Sequence, residues 1–353
     1  MSNSPRRRES SRVASLSLGV LMALVVTTGC SSPGAGDETA APQEVTTIEF
    51  GASTGLETPL QQLDQLGINA GIYRDNGLEL NPVIIAAGGP AFTSSLVGGS
   101  TNFSMLPVVG ALSAVDQGEC LSFLTVNRGN FFSLVSLPDT ELTNEGEDFP
   151  DNVKGLKGKT VGLYLVGSTE SAVLATLLEA AGMTPSDVVE VAVGAPDTAV
   201  AALQAGQVDV IVATPPTYIR LGENGYKTVV SVDSPDMPTR GIPETFFGTT
   251  CEYADEHPEV IEAFCRSQQE TRNWALDPKN EDSVLEAIEK ADSFTAEEAA
   301  TAWEQSGSNS WFPDVGISEE VWATTSVWGI DPPEYSKYVN ADCQKAVAEV
   351  AGS

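Results

Sequence analysis

A degenerate internal repeat constrains this chain more than any other feature. The first copy runs Gly88-Gly89-Pro90, then Leu96-x-x-Gly99-x-x-Asn102-Phe103, then a strand ending at Pro107. The second runs Gly194-Ala195-Pro196, then Leu203-x-x-Gly206-x-x-Asp209-Val210, then a strand ending at Pro215-Pro216. The matched leucines, glycines and polar residues all stand 107 positions apart, while the prolines need a small shift. Each copy reads as a helix, a glycine stop, a short strand and a proline-bearing loop at the strand's C-terminal end. Two such units imply two similar α/β lobes. In open α/β sheets a ligand sits beyond the carboxyl ends of the strands. Two facing lobes therefore define a cleft lined by both sets of loops.

The pattern around the repeat agrees. Thr47-Ile48-Glu49-Phe50 alternates like a strand and runs into the turn Gly51-Ala52-Ser53-Thr54-Gly55. Leu60, Leu63 and Leu66 have helical spacing, Gly77 fits a left-handed C-terminal cap, and Leu78 to Ile85 reads as the next strand. Ala91 to Val97 is the following helix, so the order implies a parallel sheet with right-handed crossovers. Lys159-Thr160-Val161-Gly162-Leu163 opens the second lobe, Val229 to Val232 closes it, and Phe246 to Thr249 returns to the first. From His257 onward the chain reads as mostly helical, with Trp274, Trp303, Trp322 and Trp328 available for packing. The expected organisation is a leader at 1–29, a tether at 30–45, a first lobe at 46–135 and a second at 136–235. Residues 236–353 return to lobe 1 and add the C-terminal helices.

Arg6, Arg7 and Arg8 precede an apolar stretch from Val13 to Val26, too short for a permanent span, and Thr27-Thr28-Gly29-Cys30 follows. This resembles a bacterial lipoprotein signal, with Cys30 as the lipidated first residue of the mature protein. Thr27 stands where such signals usually carry a bulky aliphatic. The expectation is an exported protein held to the outer face of the cell membrane by its lipid. The 18 basic residues less the leader's four leave 14, and the 49 acids less Glu9 leave 48, a formal charge of −34. Nucleic acid and anionic lipid heads repel such a chain, so neither is an expected partner. Residues 31–44 are small, polar and proline-containing, as a flexible tether would be. Cys120, Cys251, Cys265 and Cys343 remain, an even number that suggests two disulfides in an exported protein. Three connectivities exist; Cys120 with Cys251 is favoured because both flank strands of the first lobe, leaving Cys265 with Cys343. With His257 the only histidine and no Cys-x-x-Cys, no metal or other cofactor is expected.

Several of these segments resemble the substrate-binding proteins of ABC importers for nitrate, sulfonates and taurine, a family that includes thiamine-pyrimidine precursor binders. They are Gly71-Ile72-Tyr73-x-x-x-Gly77-Leu78, the repeated Leu-x-x-Gly unit, Leu156-Lys157-Gly158-Lys159, Ala205-Gly206-Gln207-Val208-Asp209 and His257-Pro258-Glu259-Val260-x-x-x-Phe264. The resemblance covers roughly residues 46–280 and is carried by the order of its motifs. Asn102 stands where the family more often has Asp. The resemblance implies a two-lobe periplasmic-binding-protein-like fold of type II, each lobe a mostly parallel sheet flanked by helices. It also implies a closing cleft and delivery of a small molecule to a permease and its ATPase.

The candidate ligand contacts follow from the loops. Ser53, Thr54 and Gly55 offer hydroxyls and N–H groups, or else cap a helix. Gly88, Gly89 and Pro90 precede a helix whose N-terminus presents donors, as do Gly167, Ser168 and Thr169 in the second lobe. Leu106 and Pro107, with Thr214 and Pro215, close the cleft from the two repeat copies. Arg128 and Arg240 lie near the two crossings between lobes. Either would clamp a carboxylate or sulfonate, unless it forms a surface ion pair with one of the many acids. Phe131, Phe132, Phe246 and Phe247 lie near the same crossings and read as core or as a stack for a flat ligand. The expected function is a monomeric solute-binding lipoprotein, not an enzyme, that captures a small organic anion. The alternatives are a binder of a flat heterocycle such as a thiamine-pyrimidine or flavin precursor, a fold relative acting as a thiamine-pyrimidine biosynthesis enzyme, and a lipoprotein turned sensor or adhesin.

Overall fold

The computed structural model describes residues 45–352 apart from 54–57, 86–88, 195, 223–224 and 309–310. One sheet is built from β1 (Thr46–Ala52), β2 (Leu78–Ile84), β3 (Phe103–Pro107), β4 (Leu121–Gly129) and, from far along the chain, β10 (Pro243–Thr250). The other is built from β5 (Ser133–Ser136), β6 (Thr160–Leu163), β7 (Val189–Ala192), β8 (Val210–Ala213) and β9 (Lys227–Val230). The strand orders are β2-β1-β3-β10-β4 and β7-β6-β8-β5-β9. β1 is parallel to β2 and β3, and β6 is parallel to β7 and β8. β10 and β5 run antiparallel to both their neighbours. The two sheets are therefore the same design, and in each the antiparallel strand is the one the chain lays down on arriving from the other lobe.

The repeat residues do equivalent jobs. Gly99 and Gly206 both adopt left-handed backbone, at φ 69° and 65°, which stops the helix ahead of each at little steric cost. The Asn102 side chain accepts from the Glu49 N–H at 2.8 Å, and the Asp209 side chain accepts from the Thr160 N–H at 2.8 Å. Each backbone N–H returns the favour, from Asn102 to Glu49 O at 2.7 Å and from Asp209 to Thr160 O at 2.9 Å. Amide and carboxylate serve equally because only an acceptor oxygen is used.

Ile48 and Phe50 of β1 are buried, as alternation requires. The helix after β1 starts at Asp64, later than the leucine spacing predicts, because the Thr58-Pro59 turn holds Leu60 ahead of it; Leu60 and Leu66 are buried all the same. Helix Thr169–Ala180 buries Val173, Leu174, Leu177 and Leu178, spaced by three and four. Helix Val108–Asp116 of the first lobe packs on it, and one apolar core continues from lobe to lobe. Helices Pro258–Leu276 and Ala341–Ala351 cover the other face of the first sheet. Cys120 is beside Cys251 and Cys265 beside Cys343 at disulfide distance, all on the first lobe. Among the described residues no helix is long and apolar enough to cross a membrane.

The chain crosses between lobes at residues 130–132 and returns at 231–242, so Ser133–Ser136 already belongs to the second sheet. Buried Asn130 ties the crossings together: its amide donates to the Thr239 hydroxyl at 2.9 Å and its N–H to Ile242 O at 2.8 Å. Two adjacent crossings therefore join the lobes.

Candidate functional site at the junction of the lobes

The described parts of the predicted loops follow the carboxyl ends of parallel strands β1, β2, β3, β6 and β8. Thr54, Gly55, Gly88 and Cys30 lie outside the described residues. Ser53 follows β1, half-buried. Gly89 and Pro90 open helix Gly89–Val97. A Cβ on Gly89 would sit 3.6 Å from Pro107, so the end of β3 and this helix start touch. Leu106 is fully buried and pairs with Phe246, which places it in the core. Phe131, Phe132, Phe246 and Phe247 are likewise buried in apolar clusters.

In the second lobe Gly167 is left-handed, at φ 80°. The Ser168 hydroxyl accepts from the Glu170 N–H at 3.2 Å and donates to Leu165 O at 2.6 Å, so it caps helix Thr169–Ala180. Thr169 is buried, and among the described residues its hydroxyl has no hydrogen-bond partner. Thr214 is also buried; its hydroxyl and that of Thr217 meet the Tyr164 hydroxyl, and Pro215 starts the next helix.

Arg128 is engaged from three sides. Its Nε donates to Glu244 Oε2 at 3.0 Å, its Nη1 donates to Gln61 O at 2.8 Å, and its guanidinium lies 4.3 Å over the Phe131 ring. The pair is buried rather than at the surface, the side chains being 10% and 5% exposed. Gln62, next to that carbonyl, is wholly buried, with neither end of its amide partnered among the described residues. Arg240 is exposed. Arg220 of the second lobe meets Asp197 at 3.3 Å and Asp292 at 3.9 Å, and Asp292 accepts from the Thr58 hydroxyl of the first lobe. That chain of contacts links the lobes.

Glu170 completes the junction. Burial pushes its carboxyl up to about 7; the Leu165 N–H, donating to it at 3.2 Å, opposes this, and the nearby charge of Glu244 adds to it. The site thus holds two carboxyls, one paired guanidinium, an unpartnered amide and an unpartnered hydroxyl. Such a set suits a ligand that brings hydrogen-bond donors as well as acceptors. Sequence reasoning missed Glu170, Glu244 and Gln62. The available signal was a lone carboxyl in an apolar setting, as Glu244 is between Ile242-Pro243 and Phe246-Phe247, since a buried charge needs a partner.

Comparisons with known proteins fit this geometry. A protein of Bordetella bronchiseptica RB50 superposes with a TM-score of 0.71 at 20% identity, over 88% of this chain and 99% of that one. The alkanesulfonate-binding protein SsuA of Xanthomonas axonopodis pv. citri, solved bound to MOPS, gives 0.62 at 16% identity over 81% and 91%. The periplasmic nitrate-binding protein NrtA of Synechocystis PCC 6803 gives 0.58 at 16% identity over 87% and 86%. At such identities the likeness establishes the periplasmic-binding-protein fold. No curated protein sequence matches. The model of the NMT1/THI5-like family matches residues 66–281, well over half of the sequence, and the chain belongs to that family.

Proposed function

We propose that this protein is an exported solute receptor of an ABC importer, anchored to the outer face of the membrane through a lipid on Cys30. Solute enters the junction between the lobes, the hinge at residues 130–132 and 231–242 closes, and the closed form docks on the permease. The observation that carries the reading is the pair of like sheets, each followed by a buried polar group, Gln62 and Thr169, left unpartnered among the described residues. Family membership and the sulfonate and nitrate binders among the structural neighbours support it. No step needs covalent chemistry.

Two ligand classes compete. A small anion (sulfonate, nitrate or carboxylate) would rest on the helix starts at Gly89 and Thr169, with Arg240 the exposed arginine near the return crossing. A flat heterocycle is favoured by the pairing of Arg128 with Glu244 and by Glu170 behind it, because these leave acceptors at the junction and no free guanidinium on Arg128. Native mass spectrometry of the protein purified without refolding tests the receptor reading and chooses between the classes. A retained small molecule identifies the solute. An empty protein that no candidate anion or heterocycle stabilises against heat overturns the receptor reading in favour of a sensor or adhesin.

A further inference from the structure

Beside the junction, at the edge of the second sheet, lies a cavity of about 130 Å³. Ser133 at the start of β5, Thr228 of β9, and Ser231 and Asp233 just after β9 line one side. Tyr218 of helix Pro215–Leu221 and Tyr226 line another, and Gln305 of helix Ala296–Ser308 borders it. The volume is close to that of protein cavities known to hold a benzene-sized guest, roughly six or seven non-hydrogen atoms.

The lining has one sign. Asp233 Oδ1 is buried and has no hydrogen-bond partner among the described residues. A carboxylate oxygen left this way is costly unless a donor or a cation meets it. The Ser133 hydroxyl accepts from the Val232 N–H at 3.1 Å, and the Ser231 hydroxyl accepts from the Asp233 N–H at 3.1 Å. Each of these oxygens keeps a second lone pair. The Tyr218 and Tyr226 rings lie 5.7 Å apart, tilted by 37°. Their faces are electron-rich and attract a cation. Among the described residues neither lysine nor arginine lines the cavity. Burial raises the Asp233 carboxyl, and Arg240 counters this only in part through its charge. An acceptor-only carboxylate, hydroxyls and two aromatic rings around a ring-sized space form a receptor for a positively charged nitrogen.

We propose that this cavity is a binding site for a small organic ammonium, with Asp233 as its counter-ion and Tyr218 and Tyr226 as its aromatic wall. The proposal is independent of the solute held between the lobes.

Cyclohexylammonium and cyclohexanol have the same heavy-atom skeleton and differ in charge, so calorimetric titration of the full-length protein with each isolates the charge. The ammonium should bind at least about tenfold tighter than the alcohol, as expected for a charge-assisted contact in a partly dry site. Cyclohexanecarboxylate should not bind. Asp233→Asn should bring the ammonium down to the level of the alcohol. Thr228→Leu fills the cavity from an exposed strand position and should abolish ammonium binding even if Asp233→Asn does not fold. Equal affinity for ammonium and alcohol, tighter binding of the carboxylate, or undiminished ammonium binding in Thr228→Leu would each overturn the proposal. A solute found between the lobes of a protein that ignores the ammonium would refute the cavity site and leave the receptor reading intact.

Discussion

Removing the Arg128 guanidinium should unfold this protein at a lower temperature even without ligand. Arg128→Ala deletes the Nε contact to Glu244 at 3.0 Å, the Nη1 contact to Gln61 O at 2.8 Å and the stack over Phe131. Glu244 is 4% exposed and would keep only the Thr245 hydroxyl, with the Glu170 carboxyl nearby. Breaking one side of a buried ion pair costs about 3–5 kcal/mol, chiefly because the remaining charge stays buried. With an unfolding entropy of about 2.1 cal/mol/K per residue over roughly 300 ordered residues, 1 kcal/mol moves Tm by about 1.5 °C. The expected loss is therefore about 5–8 °C by scanning calorimetry of the ligand-free protein. The double variant Arg128→Met, Glu244→Gln removes both charges and should recover most of it. A Tm within about 1 °C of wild type for Arg128→Ala would refute this reasoning. It would mean that water reaches Glu244 and that the guanidinium is free to serve a ligand.

Glu170 makes stability pH-dependent. Its folded carboxyl titrates near 7 against an unfolded value near 4.5, so the folded state holds the proton more tightly. Its contribution is full below about pH 4.5 and is lost as pH rises through about 7, a decline of about 3 kcal/mol. Asp64, raised to about 6 by burial, acts in the same direction. Urea titrations across that range should show the decline; Glu170→Gln should flatten it, and an unchanged slope would count against the burial argument. Asn102→Ala and Asp209→Ala should cost similar amounts, about 1–3 kcal/mol each, since each strands one strand N–H; widely different losses would show that the repeat is not energetically equivalent. Peptide mapping without reductant should recover Cys120 with Cys251 and Cys265 with Cys343, each bridge contributing about 2–4 kcal/mol; four free thiols would contradict the pairing. Fatty-acid labelling should mark the wild type and not Cys30→Ser, and equal label in both would remove the anchor.

The lobes were legible because their signals are local. Gly99 and Gly206 end helices through their own backbone freedom, and Thr47 to Phe50 alternates within four residues. The place of β10 between β3 and β4 was only partly legible: Phe246 to Thr249 reads as a strand, but its neighbours are more than a hundred residues upstream. The site was harder still. The Arg128–Glu244 pair joins residues 116 apart, and nothing near either one reveals the other. Ser168 was readable as a cap, because capping is decided within one helical turn. The burial of Glu170 was not, because it depends on how two lobes meet. The Asp233 cavity needs β5, β9 and two helices from different parts of the chain, and no window of sequence contains it.

The seat of β1 has a mechanical consequence. A pull on the chain upstream of Thr46 enters the fold through β1, which is flanked by β2 along seven paired positions and by β3 on its other side. Load along the strand axis then shears the ladder with β2, so its bonds must yield together rather than one at a time. Forced extension is governed by the unfolding rate rather than by equilibrium stability. Force entering ahead of Thr46 therefore meets a ladder that yields as a unit, and the rest of the first sheet is loaded only after it.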